Sequence, residues 1–178
     1  MKKPFVVFFD SGDTLIDEST EIRNEQGIVI SAQLHEGSRE LLLALQSGGF
    51  LLALVADGEV ASFENMYRQH GLEDVFLARA ISEALPERKP AAIMFQTAMD
   101  QLGLTDEDKG RVAMVGNNLI RDVVGANRFG ITSILYAWSP RYDMTPKNQE
   151  ETPDYVVHTP KELLLLLNRL ANAPADEM

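Results

Sequence analysis

Polar residues of complementary type stand where apolar runs give out. Asp10 and Asp13 follow the run Phe5 to Phe9, Asp57 follows Phe50 to Ala56, and Asn117, Asn118 and Asp122 follow Arg111 to Val115. Lys89 stands immediately before Pro90. Carboxyl and amide oxygens converging on a point beside one lysine suit a magnesium ion and a phosphoryl group, because magnesium takes hard oxygen ligands and keeps several waters. A carboxylate can attack phosphorus and form an acyl phosphate. The transition state spreads charge over the equatorial oxygens, where a lysine and a metal stabilise it. The plainer reading makes Asp10-Ser11-Gly12 an ordinary turn, Lys89 a solvated lysine, and Asp122 a carboxylate favouring the first turn of its helix. An acid ending a buried strand is costly without a purpose, which favours function at Asp10.

For these residues to meet, the chain must bring several strand ends to one edge. A hairpin is expected within Glu21 to Ser31, turning at Asn24-Glu25-Gln26-Gly27 and belonging to a flap of about residues 16–34. Helix patterns follow at Glu36 to Ser47, at Val60 to His70, at Pro90 to Leu102 with the proline starting it, and at Leu119 to Phe129 with Gly130 stopping it. Between them lie strands at Phe50 to Ala56, within Asp74 to Ile81, at Arg111 to Val115 and at Ile131 to Tyr136. A polar loop from Trp138 to Pro153 leads to a last strand, Asp154 to His158, and a closing helix, Pro160 to Leu170. The tail ANAPADEM reads as frayed. Strands alternating with helices predict an α/β fold with a doubly wound, mostly parallel sheet, as a single domain over 1–178. In such sheets ligands bind outside the carboxyl ends of the strands, at the switch point.

Composition narrows the function classes. The chain has 178 residues, 45% hydrophobic and 24% charged, which is ordinary globular usage. A formal net charge of −11 speaks against nucleic-acid partners, whose sites are basic. No apolar run approaches the roughly 20 residues of a membrane helix, so no membrane partner is expected. The start MKKPFVVFF is interrupted by Asp10 and reads as a strand rather than a signal peptide. With no cysteine, disulfides, thiolate zinc sites and cysteine nucleophiles are excluded. A cytoplasmic location is the default expectation.

In this order and spacing the chain resembles the haloacid dehalogenase superfamily, mostly phosphatases that work through an aspartyl-phosphate. The resemblance rests on Asp10-Ser11-Gly12-Asp13-Thr14-Leu15, Val55-Ala56-Asp57-Gly58, Lys89-Pro90, and Gly116-Asn117-Asn118-Leu119-Ile120-Arg121-Asp122. It implies a Rossmann-like core, a magnesium-dependent phosphohydrolase, Asp10 as nucleophile, Lys89 as the catalytic cation, and a magnesium site at Asp10, the Gly12 carbonyl, Asn117 and Asp122. Three positions depart from the family pattern. The second aspartate, which would carry the proton, falls on Gly12, so Asp13 is the expected stand-in. The second-motif hydroxyl falls on Ala56, so backbone amides of Asp57 and Gly58 are the expected phosphate donors. The first acid of the fourth motif falls on Asn117, which keeps an oxygen but loses a charge. His35, His70 and His158 match no motif and are expected to be structural.

Many family members insert a helical cap. Here the stretch from Leu15 to Glu36 has room for a hairpin and no more, which implies a cap-less member with an open site. Such a site suits a phosphorylated small molecule or a bulky phosphate ester. The loop after Tyr136 emerges on the site edge, where Arg141 can pair an anionic group and Trp138 or Tyr142 can stack on a sugar. In the competing reading those aromatics pin the loop, at a homodimer contact. A catalytically weak or inactive binding or scaffold protein on the same fold is the alternative function, motivated by Gly12, Ala56 and Asn117. A phospho-accepting receiver module and a dehalogenase fit less well.

Overall fold

The computed structural model describes residues 3–139 and 141–173. The first half of this stretch runs β1 (Val6–Phe9), β2 (Ile16–Arg23), β3 (Val29–Leu34), α1 (Ser38–Ser47), β4 (Leu51–Ala56), α2 (Val60–Gln69) and β5 (Ala78–Ile81). The second runs α3 (Ala92–Gln101), β6 (Val112–Gly116), α4 (Val124–Phe129), β7 (Thr132–Tyr136), β8 (Tyr155–Val157) and α5 (Pro160–Asn172). Six strands form one parallel sheet in the order β5-β4-β1-β6-β7-β8, while β2 and β3 pair antiparallel as a separate hairpin. The doubly wound α/β fold with a small hairpin is therefore the architecture observed, with no large cap among the described residues.

Both faces of the sheet are covered, which is why its strands are continuously apolar. In β1, Val7 and Phe9 join one core while Val6 and Phe8 join the other. The first core is closed by Leu41, Leu42 and Leu45 of α1, by Phe63, Met66 and Tyr67 of α2, and by leucines of α5. Across the sheet, α3 and α4 contribute Met94, Phe95, Ala98, Met99, Ala126 and Phe129. The chain winds outward from β1 to β5, then returns to β6 on the other side of β1. That reversal places the ends of β4, β1 and β6 side by side.

Element boundaries differ from expectation in physically instructive ways. Pro90 does not start a helix. The Lys89–Pro90 peptide is cis, a turn closed by the Ala91 amide on the Arg88 carbonyl (3.0 Å) takes up this stretch, and α3 begins at Ala92. The segment expected as one helix from Leu119 starts as a wide π turn, Leu119–Val123, before α4. The closing helix continues to Asn172, past the expected end at Leu170, and the expected frayed tail lies from residue 174 outside the described residues.

The two hairpin strands together span Ile16 to Leu34, and β3 finds partners on α2 and on His70 just after it. Ser62 Oγ accepts from the Val29 amide (3.0 Å) and Asn65 Nδ2 donates to the Val29 carbonyl (2.9 Å). Gln69 Oε1 accepts from the Ala32 amide (3.1 Å), and His70 Nε2 lies 2.8 Å from the Ala32 carbonyl. An edge strand that would otherwise present unpaired backbone is thereby fastened to the body.

Candidate active site

Asp10 leaves β1 with its amide still on the ladder, donating to the Val115 carbonyl at 2.9 Å. Its Oδ1 meets Lys89 Nζ at 2.7 Å, and its Oδ2 accepts from Thr14 Oγ1 at 3.2 Å. The same ammonium donates to Asp122 Oδ1 at 2.7 Å. Lys89 and Asp122 are each 2% exposed in their side chains, whereas Asp10 opens to solvent at 15%. Burial disfavours the Lys89 ammonium, but Asp10, Asp122 and Asp57 together more than offset this and hold its pKa above the ordinary lysine value. Burial also pushes the Asp122 carboxyl up to about 6, against the pull of Lys89. Two carboxylates around one ammonium leave negative charge uncompensated in a desolvated place, an arrangement that favours a further cation.

The fourth-motif residues separate into distinct jobs. Asn118 caps the π turn: its Oδ1 accepts from the amides of Ile120 (3.0 Å) and Arg121 (2.9 Å). Asp122 Oδ2 accepts from the Asn118 amide at 3.0 Å, which aims its other oxygen at Lys89. Asn117 is 1% exposed, and its side-chain nitrogen has no hydrogen-bond partner among the described residues. A buried amide without a partner is costly and calls for an explanation. Of the two asparagines, Asn117 is the one free to face a ligand.

Of the expected phosphate-binding set Ala56, Asp57 and Gly58, the Gly58 amide and the Asp57 carboxylate already have partners within the protein. The Ala56 side chain is packed into the first core. The Gly58 amide already donates to Ser82 Oγ at 3.0 Å, and its φ of +150° with Phe63 3.1 Å from a built Cβ explains the glycine. The Asp57 side chain acts on Lys89: its Oδ1 accepts from the Lys89 amide at 3.0 Å. Its other oxygen lies 3.6 Å from Arg121 Nη1.

Asp13 is likewise committed elsewhere. The loop wraps around the Ser11 carbonyl, which accepts from the amides of Thr14, Leu15 and Ile16, and this leaves Asp13 left-handed at φ 49°. An aspartate tolerates that conformation when its short side chain bonds locally. Here Asp13 Oδ1 accepts from the Glu18 amide at 3.1 Å, and Oδ2 is paired with the Arg141 guanidinium. The Asp13 carbonyl accepts from Trp138 Nε1 at 2.8 Å. Asp13 is thus held as a brace between the Glu18 amide, Trp138 and Arg141. Arg141 is not a free anion receptor, since it also pairs with Glu18 Oε2 at 2.5 Å.

The Trp138 ring lies across His35, with centroids 3.5 Å apart. Burial lowers the His35 pKa, while Asp17 and Asp13 oppose the shift. Stability is therefore expected to fall as the pH drops below about 6.5, the ordinary imidazole value, because the unfolded chain then binds the proton more tightly than the folded one. Urea midpoints measured from neutral to mildly acid pH should show this decline, and His35→Gln should flatten it.

Two charged neighbours escaped the sequence reading. Arg121, half-buried, faces Asp57 and donates through Nη2 to the Tyr142 hydroxyl at 2.9 Å. Its only sequence signal is adjacency to Asp122. Glu18 lies on β2, and a Cβ built on Gly12 would stand 1.8 Å from Glu18 Oε1. Burial pushes the Glu18 carboxyl up, Arg141 pulls it down, and the charges of Asp13, Glu21 and Asp10 add to the rise, leaving it above the ordinary value. Glu18 and Gly12 line a cleft of about 140 Å³ between the hairpin and the end of β4, with Asp57 and Gly58 on the opposite wall. A larger cleft of about 680 Å³, around Thr132, Tyr155 and Arg169, lies at the other end of the strands and touches none of these groups.

A glyceraldehyde 3-phosphate phosphatase from Methanopyrus kandleri is 33% identical over 131 residues, which are 73% of this chain and 54% of the relative. A protein of the same name from Pyrococcus furiosus is 28% identical over 134 residues, 75% of this chain and 54% of its own. The chain thus spans about half the length of the curated relatives it matches. Among solved structures, a HAD phosphatase from Thermococcus onnurineus superposes with a TM-score of 0.74 over 92% of this chain and 97% of its own, at 19% identity, which speaks for the fold. Among the described residues, no helix is long and apolar enough to cross a membrane. The family model for haloacid dehalogenase-like hydrolases matches residues 7–136, from β1 to the end of β7, and the chain belongs to that family.

Proposed function

We propose that the chain is a phosphatase whose nucleophile is Asp10, acting on a phosphate monoester. The observation that carries this reading is the buried ammonium of Lys89 held 2.7 Å from both Asp10 and Asp122 at the carboxyl edge of the sheet. It fixes one oxygen of Asp10 while Thr14 steadies the other, and the side chain as a whole is 15% exposed. Attack by that carboxylate on phosphorus breaks the ester P–O bond and forms an acyl phosphate. Water then attacks the same phosphorus, releasing inorganic phosphate and restoring the carboxylate. Lys89, kept charged throughout, holds the negative charge that accumulates on the phosphoryl oxygens.

The donor set fits magnesium. Asp10 and Asp122 offer carboxylate oxygens, and the partnerless amide of Asn117 adds a neutral oxygen when its two ends exchange places. Magnesium is usually bound through one or two carboxylates together with the substrate's phosphate and waters. When bound, magnesium supplies positive charge against the nucleophile and the phosphoryl oxygens.

The test is hydrolysis of p-nitrophenyl phosphate with magnesium present or chelated. Turnover is expected to require the metal and to fall by about 10³-fold or more in Asp10→Asn, which cannot form the acyl phosphate. Undiminished turnover in that variant overturns the assignment. A binding protein on the same fold is the second reading, favoured by the commitment of Asp13 to Arg141. Absence of any metal-dependent turnover in the native chain would decide for it.

A further inference from the structure

The proposed reaction leaves a proton unaccounted for. The departing oxygen of an alkyl ester is strongly basic, and the water that cleaves the acyl phosphate must lose a proton. Lys89 is held between two carboxylates, and Asp13 is bound to Arg141 and the Glu18 amide. Position 12, two residues beyond the nucleophile, has no side chain. The space in front of it is filled all the same. A Cβ built on Gly12 would lie 1.8 Å from Glu18 Oε1, 2.7 Å from Cδ and 3.0 Å from Cγ. The carboxylate from β2 thus stands where a side chain at position 12 would stand.

Its placement is built, not incidental. Asp13 fixes the Glu18 backbone through its amide, and Arg141 anchors one carboxylate oxygen, Oε2, leaving Oε1 against Gly12. The side chain is 31% exposed and lines the cleft between hairpin and sheet, so a proton can be exchanged with solvent between turnovers. Gly12 is needed because any side chain there would displace this carboxylate.

We propose that Glu18 is the catalytic residue that carries the proton in place of a side chain at position 12. In the first step, Asp10 bonds to phosphorus as the ester P–O bond breaks, and the Glu18 carboxylic acid gives its proton to the leaving oxygen. In the second, the Glu18 carboxylate takes a proton from water as that oxygen bonds to phosphorus and the P–O bond to Asp10 breaks. The net change is ester plus water to alcohol plus phosphate, with Glu18 protonated again. This rests on the phosphatase reading.

The experiment measures the first chemical step, as single-turnover release of the phenol, for aryl phosphates from 2,4-dinitrophenyl to unsubstituted phenyl phosphate. Proton donation matters little to a good leaving group and greatly to a poor one. Glu18→Gln is therefore expected to slow dinitrophenyl phosphate by less than about tenfold and phenyl phosphate by about 10²–10⁴-fold. With the good leaving group it should also show a stoichiometric burst, because cleavage of the acyl phosphate lacks its base. Returning a carboxylate to the same point, as Gly12→Asp in a Glu18→Ala background, is expected to recover phenyl phosphate turnover. A loss that is uniform along the series, no loss, or a swap that recovers nothing overturns the proposal. Failure of the phosphatase reading is distinguishable: the native chain would then be inactive, or Asp10→Asn would retain its activity.

Discussion

Lys89→Met is expected to lower phosphate-ester turnover by about 10³-fold or more and to destabilise the fold by about 3–5 kcal/mol. The two losses share a cause. Lys89 Nζ is the buried cation common to Asp10 and Asp122, so its removal takes charge away from the transition state and leaves two carboxylates facing each other. The carboxyl better removed from water is Asp122, already raised to about 6 with the lysine present. Without Lys89 it rises further. A carboxyl whose folded pKa exceeds its unfolded value binds its proton more tightly in the fold, so the variant should regain stability as the pH falls from neutral towards acid. Adding Asp122→Asn should recover stability at neutral pH without recovering activity. Denaturant midpoints across pH, read beside turnover, separate the two effects, and a Lys89→Met chain as stable and active as the native one would contradict this account.

Gly116→Ala is the second large effect. A single methyl at the end of β6 would lie 2.3 Å from both Cγ and Oδ2 of Asp122. Asp122 has nowhere to retreat, with one oxygen on Lys89, the other on the Asn118 amide, and only 2% of its side chain exposed. Either the π turn or the strand end must shift. The expected cost is about 1–3 kcal/mol for overpacking and about 10²-fold in turnover for a misplaced carboxylate. Gly110→Ala is the control, because a Cβ there meets nothing within 4 Å and its φ is not in the left-handed region. Native activity in Gly116→Ala would mean that the position of Asp122 does not matter.

The parts of the site legible in the sequence are those written as a contrast between neighbours. Asp10 interrupts an apolar strand, Asp122 follows another by a short turn, and Lys89 precedes a proline. Parallel topology then suffices to bring together residues 79 and 33 positions apart. What could not be read depended on contacts that no local pattern records. Asp13 looked available because its partner, Arg141, lies 128 residues away. Glu18 looked like one more acid on a hairpin because its direction depends on the left-handed turn at Asp13 and on that same arginine. Gly58 seemed a free amide because Ser82, which accepts from it, belongs to the next connection.

The four bonds from β3 to α2 and to His70 just after it carry a consequence for how molecules pass in and out. A hairpin tied down along its backbone is expected to move little, so on the phosphatase reading proposed above the opening beside it is expected to keep much the same size from one turnover to the next. Discrimination among the proposed substrates is then expected to rest on what fits beside the hairpin, and not on a closure that some substrates trigger and others fail to trigger. Loosening it, for example at Asn65 or Gln69, would change which molecules enter before it changed the chemistry performed on them.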